Sequence, residues 1–536
     1  MAKIARMISA LEVKDTAPIF SSVDEEVVSV RRENAQLKER LMALETQVAW
    51  FKKQLFGPKS EKRPVENPQQ FSLLSEAAPP TPAEGEMRTI TYQRGTACKT
   101  RSEECVNEAG LRFTSDVPVK VIQSTLPELT GPEADQYEII GTKTTYRLAQ
   151  RPASYVILQY ERPVIKRKAS EAPMPSPAPL NVLDRSVADV SFLVGMLVDK
   201  FQYHLPLYRQ HQRLQQAGVT LSRATLTQQV KRAIELLRPI TDAMLDHVLL
   251  SRTLAMDETP IKASRQAPGK LKQGYFWPIY GEDDEVIFTY SDSRGRQHIE
   301  KILQQRFKGT LLSDGYAAYA RYVQQSEGVK HAQCWTHTRR QFIEAEALAP
   351  DATAHALALI GQLYRIEAEI TAPSLTADKK REARLLYSKP VVDQLFEWCD
   401  TQLRRPELFP SHPFTKALKY TLNREAGLRL FLEEPDVPLD TNHLERALRA
   451  IPMGRKNWLF CWTELGAEHV GIIQSLITTC KLHGVHPYTY LTDVLLRINH
   501  HPASQVLDLT PRVWKEKFTN NPLRSDLYDR VNDVLE

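Results

Sequence analysis

The chain has 536 residues, 70 of them basic and 65 acidic, and its formal net charge is +5 at pH 7. Hydrophobic residues make up 42% of the composition, which excludes a wholly disordered protein and is enough for several buried cores. The apolar run around Phe192–Val198 is far shorter than the roughly 18 residues of a membrane helix, and no signal-peptide pattern opens the chain. Because the six cysteines are scattered, as in a reducing cytosol, we expect a cytoplasmic protein without membrane contact.

A heptad repeat over residues 22–56 is the first structural signal. Its two rows, a and d, are Val27, Asn34, Leu41, Val48 and Leu55, and Val30, Leu37, Leu44 and Phe51. In a parallel dimer the flanking positions of this repeat pair opposite charges, and an asparagine in row a favours two strands. The repeat therefore predicts a coiled coil that forms a homodimer. The alternative is a single amphipathic helix packed on its own chain.

Two linkers are predicted on either side of a small β-rich module. Residues 57–90 are rich in Pro, Glu and Ser, and residues 171–180 are rich in Pro. Between them, the module over residues 91–170 carries β-type runs such as Tyr137–Ile140 and Tyr155–Tyr160. It ends in a basic cluster that we predict to contact DNA, namely Lys166, Arg167 and Lys168.

Residues 181–250 have a helical pattern that contains a helix-turn-helix. Tyr208–Ala217 predicts a helix that Gly218 ends, and Ser222 is a good N-cap for the next helix. In a DNA-binding helix-turn-helix, the start of the second helix lies against base edges and phosphates. The residues predicted to contact DNA are Arg223, Thr225, Gln228, Lys231 and Arg232. An ordinary helical hairpin is the alternative.

Short apolar strands follow Arg252, and two of them end in an acid, TLAMD at Asp257 and GTLLSDGY with Asp314. A hairpin of 275–281 with 285–291 and a helix over Arg296–Phe307 separate the two. A fifth strand, 329–335, then leads into a basic helix with Arg339 and Arg340, which we predict to contact DNA. This order of elements is that of a ribonuclease H-like fold. Its fourth strand is parallel to its first, so we expect Asp257 and Asp314 to lie side by side.

Two carboxylates this close cannot both ionise cheaply without a cation. Oxygen ligands suit Mg²⁺ or Mn²⁺, and a third carboxylate completes a site for two ions. Glu445 is the best candidate, because it lies early in a helix that also carries basic residues predicted to contact DNA phosphates, Arg446, Arg449, Arg455 and Lys456. A surface helix of ion pairs is the alternative. Glu258 is the alternative to Asp257, although strand alternation sends the two side chains to opposite faces.

Three further interpretations concern single residue types. His337 is interpreted either as a contact to DNA or the site, or as a satisfied core histidine. Trp277 is interpreted as a core residue, with base stacking as the alternative. Four cysteines are predicted to be buried apolar residues, namely Cys334, Cys399, Cys461 and Cys480.

Over nearly its whole length the chain resembles the large transposase protein of the insertion sequence 66 family. The matching words are FGPKSEK, HLPLYRQ, GVTLSRATL, MDETPIKA, SDGYAAYA, CWTHTRRQF, DTNHLERALR, GRKNWLF, SLITTCKLHGV and YLTDVL. The resemblance implies a multidomain α/β protein, a DDE transposase whose acidic triad falls on Asp257, Asp314 and Glu445. It implies double-stranded DNA as a partner, association with the bacterial nucleoid when bound, and two small proteins of the element as companions.

The resemblance also divides the catalytic part of the chain. A ribonuclease H-like core is expected over 251–344 and 436–500, interrupted by a helical insertion over 345–435 and followed by a tail over 501–536. Transposases of this family usually carry a zinc module with two Cys-x-x-Cys pairs near residues 115–170, but this chain has no cysteine there. Since Cys98 and Cys105 lie upstream without partners, we predict no zinc. A zinc site built from other residues is the alternative.

Two other functions remain open at this point. One is a DNA-binding protein of the same descent that has lost catalysis. The other is a nuclease of the same fold that cuts DNA without joining it. The intact contexts of the three acids favour the transposase.

Overall fold

The computed structural model describes residues 111–529 apart from positions 116, 125, 152–153, 169–172, 176–180, 268–269, 372–374, 460 and 462, together with Lys38. Lys38 is helical and exposed. The rest of the predicted coiled coil and the first predicted linker lie outside the described residues.

A four-stranded sheet opens the described part of the chain. Its strands are β2 (Val119–Gln123), β3 (Tyr137–Arg151), β4 (Ser154–Arg167) and β5 (Pro173–Pro175). A short strand, β1 (Arg112–Phe113), precedes them, and the short helix α1 (Pro127–Thr130) lies between β2 and β3. The sheet order is β2-β4-β3 with β5 paired to β4, while β1 pairs elsewhere. The β-type runs near Tyr137 and Tyr155 are thus confirmed as one long hairpin. Residues 173–175, inside the second predicted linker, add a strand to it.

Burial on both faces explains why β4 is long and apolar. Val156, Leu158 and Tyr160 pack into a small core that also includes Leu527 near the C-terminal end. Their neighbours on the strand, such as Ile157, pack into the main core instead. The hydroxyl of Tyr160 donates to Asp526 at 2.8 Å, which fixes the C-terminal segment against this sheet.

The predicted helix-turn-helix is confirmed as local structure. Its elements are α2 (Val190–Phe201), α3 (Leu207–Gln216), β6 (Val219–Thr220) and α4 (Arg223–Val248). Gly218 has a φ of +78°, which glycine adopts easily, and ends α3. The Ser222 hydroxyl accepts from the Thr225 amide at 3.0 Å and caps α4. The turn itself pairs with β1, so the first sheet region and the helices are joined here.

A second, six-stranded sheet forms the centre of the molecule. Its elements are β7 (Thr253–Met256), β8 (Thr259–Ala267), β9 (Lys270–Tyr280), β10 (Val286–Ser291), α5 (Arg296–Leu303), β11 (Gly309–Ser313), α6 (Ala317–Gln324) and β12 (Val329–Gln333). The strand order is β10-β9-β7-β11-β12, with β8 paired to β9. The pairs of β9 with β7, β8 and β10 are antiparallel, and those of β11 with β7 and β12 are parallel.

Two local predictions for this region need correction. The helix predicted to reach Phe307 ends at Leu303, because Gln304 and Gln305 have φ values of 48° and 55°. This turn carries Phe307, only 1% exposed, into the core. In addition, residues 259–267 form β8, a strand that the sequence analysis did not predict.

Helices make up most of the remaining chain. They are α7 (Trp335–Ala345), α8 (Pro350–Thr371), α9 (Ala377–Ala383), α10 (Lys389–Leu403), α11 (Pro413–Leu422), α12 (Glu425–Arg429), α13 (Asn442–Leu448), α14 (Ala450–Trp458), α15 (Glu464–Leu482), α16 (Pro487–Arg497), α17 (Pro511–Phe518) and α18 (Asp526–Asp529). A π-helical turn, Arg384–Ser388, joins α9 to α10. The chain is therefore a mixed α/β protein. Among the described helices, none has both the length and the apolarity needed to cross a membrane.

Helix α15 is buried along nearly all of its length and seals the β10 edge of the central sheet. The hydroxyls of Ser475 and Thr479 accept from the amides of Phe288 and Val286 at 2.9 and 3.2 Å. Gly471 permits this approach, because a Cβ there would lie 2.4 Å from the carbonyl oxygen of Phe288. An edge strand that would otherwise expose its amides is thus covered by helix side chains.

Candidate active site

Asp257 and Asp314 follow two neighbouring parallel strands at the same end of the sheet. Leu312 of β11 is opposite Ala255 of β7, and this register, continued by two residues, brings Asp314 beside Asp257. Each carboxylate is oriented by a nearby amide. The Glu258 amide donates to Asp257 at 2.7 Å, and the Tyr316 amide donates to Asp314 at 2.8 Å.

A break in the strand explains why Asp257 is available. Strands β7 and β8 pair with β9 in one continuous register, in which Met256 is opposite Ile279 and Thr259 is opposite Phe276. Asp257 and Glu258 interrupt this pairing. The residue that the register sets opposite Asp257 is Pro278, which has no amide hydrogen for either neighbouring strand. The acidic pair therefore lies at a gap in the ladder.

The surroundings of Asp257 disfavour the ionised form of its carboxyl. Burial raises the pKa of its carboxyl to about 7, and the negative charges of Glu258, Asp314 and Glu445 add to the rise. The hydrogen bond from the Glu258 amide opposes the rise only in part. A cation placed here would relieve the repulsion and favour the carboxylate form.

Glu258 has partners of its own. Its side chain is 2% exposed and forms an ion pair with Arg294. The Tyr319 hydroxyl donates to its other oxygen at 2.7 Å. Because both oxygens of Glu258 are engaged, Asp257 remains the better candidate of the two.

Glu445 lies in the first turn of α13 and faces α7. Its Oε1 is 3.9 Å from Nε2 of His337 and 3.9 Å from Nη2 of Arg340. Burial lowers the pKa of His337, against the opposing effect of the Asp314 charge. Its Nδ1 is buried without a hydrogen-bond partner among the described residues, so His337 is not a satisfied core histidine. The charges of both Asp314 and Glu445 act on this ring.

Asp440 connects α7, α8 and α13 and so determines where Glu445 lies. Its carboxylate accepts from Thr336 at 3.0 Å, from Tyr364 at 2.8 Å, and from the Asn442 amide at 2.9 Å. The Trp335 amide also donates to the Leu439 carbonyl at 3.0 Å. Sequence analysis assigned no role to Asp440. The D-x-N pattern at the start of a predicted helix was the available signal.

A second positioning residue acts on the loop after Asp314. Arg424 donates to the Gly315 carbonyl at 3.0 Å, and its guanidinium stacks on Tyr420 at 3.7 Å. A Cβ at Gly315 would lie 2.6 Å from the Arg424 guanidinium, so a larger residue there would displace the end of this side chain. No sequence pattern predicted this contact, because Arg424 is 109 positions after Gly315 along the chain.

The described residues around these acids contain no preformed metal cluster. Within the described residues, no group of three or more His, Cys, Asp and Glu side chains lies close enough together to hold an ion. The three acids interact through their charges but do not share one ligand shell. Cys98 and Cys105 lie outside the described residues.

Most of the basic residues around the acids that were predicted to contact DNA are exposed. These are Arg339, Arg340, Arg446, Arg449 and Lys456. Arg455 differs, because its guanidinium donates to the carbonyl of Pro260, near the start of β8. We therefore interpret Arg455 as a residue that holds α14 against the sheet.

The predicted DNA contacts on α4 divide into two groups. Arg223, Gln228 and Lys231 are exposed, whereas Thr225 and Arg232 are half-buried. Arg232 donates through both terminal nitrogens to the Asp184 carbonyl, at 3.1 and 3.2 Å. In the β-rich module Lys166 forms an ion pair with Glu138 at 2.6 Å, and Lys168 is exposed. Arg167 belongs to β4.

Two core predictions are confirmed. Trp277 is fully buried and donates to the Ser291 hydroxyl at 2.6 Å, so it is not available to stack on a base. The four named cysteines, Cys334, Cys399, Cys461 and Cys480, are free and buried.

Comparison with known proteins identifies related sequences along the chain. The family described as "Transposase IS66 family" matches residues 185–469, and "IS66 C-terminal element" matches residues 475–511. The family described as "Transposase C of IS166 homeodomain" matches residues 43–104.

Curated relatives come from Sinorhizobium fredii (strain NBRC 101917 / NGR234). "Uncharacterized protein y4hP" is 31% identical over 401 residues, which cover 70% of this chain and 71% of the relative. "Uncharacterized protein y4jD" is 29% identical over 509 residues, which cover 90% of this chain and 96% of the relative.

Proposed function

Because the chain belongs to the IS66 family of transposases, we propose that it is a DDE transposase that binds transposon ends, cuts DNA and joins the cut end to a target. One observation carries the proposal. Asp257 and Asp314 follow neighbouring parallel strands, and Glu445 lies near enough for its charge to raise the pKa of Asp257. Paired acids of this kind, beside exposed arginines, suit phosphodiester chemistry.

The proposal includes a ribonuclease H-like core over 251–344 and 436–500. The strand order β10-β9-β7-β11-β12 supports it, as do the antiparallel pairs on one side of β7 and the parallel pairs on the other. The helices α8 to α12 separate β12 from α13, in agreement with a helical insertion over 345–435.

The three carboxylates Asp257, Asp314 and Glu445 are the proposed ligands of two Mg²⁺ or Mn²⁺ ions. Their oxygen atoms are the ligands that these hard cations prefer. The raised pKa of Asp257 fits this role, because a nearby cation would favour the ionised form. When bound, such ions activate the attacking oxygen and stabilise the leaving oxygen of a phosphodiester.

The side chains of the protein orient the reacting DNA in this proposal. Exposed arginines on α7 and α13, such as Arg340 and Arg446, bind phosphates on either side of the scissile bond. Hydrolysis breaks a P–O bond and releases a 3′-hydroxyl. That hydroxyl then attacks a target phosphodiester, forms a new P–O bond and displaces the 3′-oxygen of the target strand.

The deciding experiment uses purified full-length protein, labelled DNA carrying the ends of the element, and Mg²⁺. We expect both cleaved and joined products. Cleavage without joining would favour the nuclease. Binding without cleavage would favour a DNA-binding protein that has lost catalysis.

We predict that α4 reads the sequence of the element ends. Arg223→Ala and Gln228→Ala are expected to reduce discrimination between element ends and random DNA, because both exposed side chains lie near the start of the helix. Lys231→Ala is expected to weaken binding to all DNA and to reduce its salt dependence. Binding titrations at several salt concentrations test this. If both kinds of variant behave alike, α4 is not a sequence reader.

We predict that residues 1–56 hold two chains together. Leu41→Lys combined with Leu44→Lys inserts charges into the proposed seam and should disrupt the dimer. Asn34→Leu should tighten association but broaden its stoichiometry, because the buried asparagine penalises other registers. The mass of the protein in solution measures both effects. A protein that stays dimeric without residues 1–56 would assign assembly to another surface.

A further inference from the structure

A polar cleft lies between the start of α4 and the turn at residues 183–186. The polar side chains that line it are Arg185, Ser186, Thr225, Gln228, Gln229 and Arg232. Two of these are cationic, and no carboxylate belongs to the lining formed by the described residues. A cleft of this composition is suited to an anion that accepts hydrogen bonds.

The cleft lies on the flank of the helix that we propose to read DNA. Thr225, Gln229 and Arg232 are spaced by four and three residues, so they lie on one flank of α4. Thr227 and Lys231 are exposed on the adjoining face. When that exposed face approaches the bases of DNA, the cleft lies to one side of the bases. This is where the sugar-phosphate backbone runs.

The turn is fixed by hydrogen bonds to the helix and by others within its own segment. Arg232 donates to the Asp184 carbonyl at 3.1 and 3.2 Å. Asn181 donates to the Ser186 carbonyl at 3.1 Å, and the Ser186 hydroxyl accepts from the Ala188 amide at 3.1 Å. The wall of the cleft is thus formed before any ligand arrives.

Arg185 is held in an unusual conformation on this turn. Its φ is 56°, a value that non-glycine residues rarely adopt, and its side chain is exposed. In the described part of the chain it forms no hydrogen bond or ion pair. A strained backbone that presents an unpaired guanidinium points to a functional contact.

Gln229 gives a second, independent indication of a ligand. Its side chain is only 5% exposed and lines the cleft. Its Nε2 donates to the Ser186 hydroxyl at 3.4 Å, while its Oε1 is buried without a partner. Since the two ends of an amide can exchange by a flip, the opposite orientation offers an N–H donor to the cleft.

We propose that this cleft binds a phosphate of the DNA backbone, with Arg185 as the principal contact. This proposal rests on the proposed DNA-binding role of α4. One phosphate held at the flank fixes the register of the helix in the groove, so that base contacts by Gln228 and its neighbours become possible. Sequence analysis missed Arg185, because a single arginine after a linker carries no pattern.

The test measures binding of full-length protein to a mixed-sequence duplex over a range of salt concentrations. Arg185→Ala should weaken binding about tenfold, the effect of losing a charge-assisted hydrogen bond. The slope of log affinity against log salt should fall by about 0.9, the value for one phosphate contact. If Arg185→Ala changes neither the affinity nor the salt slope while Lys231→Ala changes both, the proposed phosphate site is wrong and the proposed role of α4 stands.

Two variants separate this contact from other effects. Arg185→Gly removes the side chain and relieves the positive φ, so it should lose affinity as Arg185→Ala does without lowering the melting temperature. Wild-type affinity in this variant would overturn the proposal. Asp184→Asn alters the neighbouring exposed charge and should change affinity little. If it strengthens binding as much as Arg185→Ala weakens it, Arg185 acts only through net charge, and the proposal fails.

Inorganic phosphate distinguishes the two sources of the same chemistry. If the cleft binds a phosphate of the DNA backbone, Arg185→Ala should have a lower affinity for duplex DNA than the wild-type protein. If the variant instead loses only the stabilisation of the fold by added inorganic phosphate, and binds duplex as wild type does, the cleft takes free phosphate and the proposal is overturned.

Discussion

Replacing Asp257, Asp314 or Glu445 by alanine is expected to abolish DNA cleavage and to leave binding of element ends largely intact. The proposed ions are held jointly, so each loss should be severe rather than graded. Rates from labelled DNA ends with Mg²⁺ measure the effect. Glu344→Ala is a matched control, because Glu344 is an exposed acid on α7 and should retain activity. Cleavage above roughly 10% of the wild-type rate would remove that residue from the triad.

A folding measurement separates lost chemistry from a damaged fold. The pKa of Asp257 is about 7 in the folded chain, above the ordinary value of 3.8. Ionising this carboxyl therefore disfavours the folded state: the cost is absent below about pH 4, grows towards pH 7 and is fully present above it. Asp257→Asn should thus raise the melting temperature at pH 8 in metal-free buffer and change it little at pH 4. A lower melting temperature at pH 8 would mean that lost cleavage reflects misfolding.

Replacing Arg384 by methionine is expected to destabilise the fold by about 3–5 kcal/mol, the usual effect of breaking a buried ion pair. The Arg384 side chain is 0% exposed and donates to the two oxygens of Glu367 at 2.5 and 3.0 Å. It also donates to the carbonyls of Phe431 and Glu434 at 2.7 and 3.0 Å. The variant would leave these carbonyls without a buried donor, and the Glu367 carboxylate would keep only Lys380, 3.6 Å away, as a cationic partner.

The control for this effect is Arg404→Met. Arg404 pairs with Asp400 four residues earlier, but its side chain is 78% exposed, so the loss should stay below about 1 kcal/mol. Chemical denaturation compares the two variants. Replacing Glu367 by leucine together with Arg384→Met should recover part of the stability, because the carboxylate that lost its arginine is then also removed. Equal stability losses for Arg384→Met and Arg404→Met would contradict the assigned role.

Features determined by neighbouring residues were predictable from the sequence. Gly218 and Ser222 mark the turn before α4, because a positive φ and an N-cap are local requirements. The strands ending near Asp257 and Asp314 were predictable from their apolar runs. The catalytic role of Asp257, Asp314 and Glu445 remains a prediction.

Features that depend on distant partners were not predictable. Strand β8 has the sequence TPIKASRQA, which lacks clear alternation and forms a strand through its pairing with β9. The basic stretch before Arg384 is typical of a solvated helix, yet Arg384 is buried by contacts with residues 17 and 47 positions away. The role of Asp440 depends in the same way on Tyr364, 76 positions earlier.

Because α15 covers the edge strand β10, a gene copy that has lost the coding sequence for α15 should encode a protein with different properties. A copy truncated before residue 464 would encode a chain whose β10 amides at Val286 and Phe288 have lost their partners. An open strand edge of this kind promotes aggregation. We therefore expect truncated products to precipitate rather than to compete with intact protein for DNA ends. A truncated chain that remains in the soluble fraction after expression would contradict this expectation.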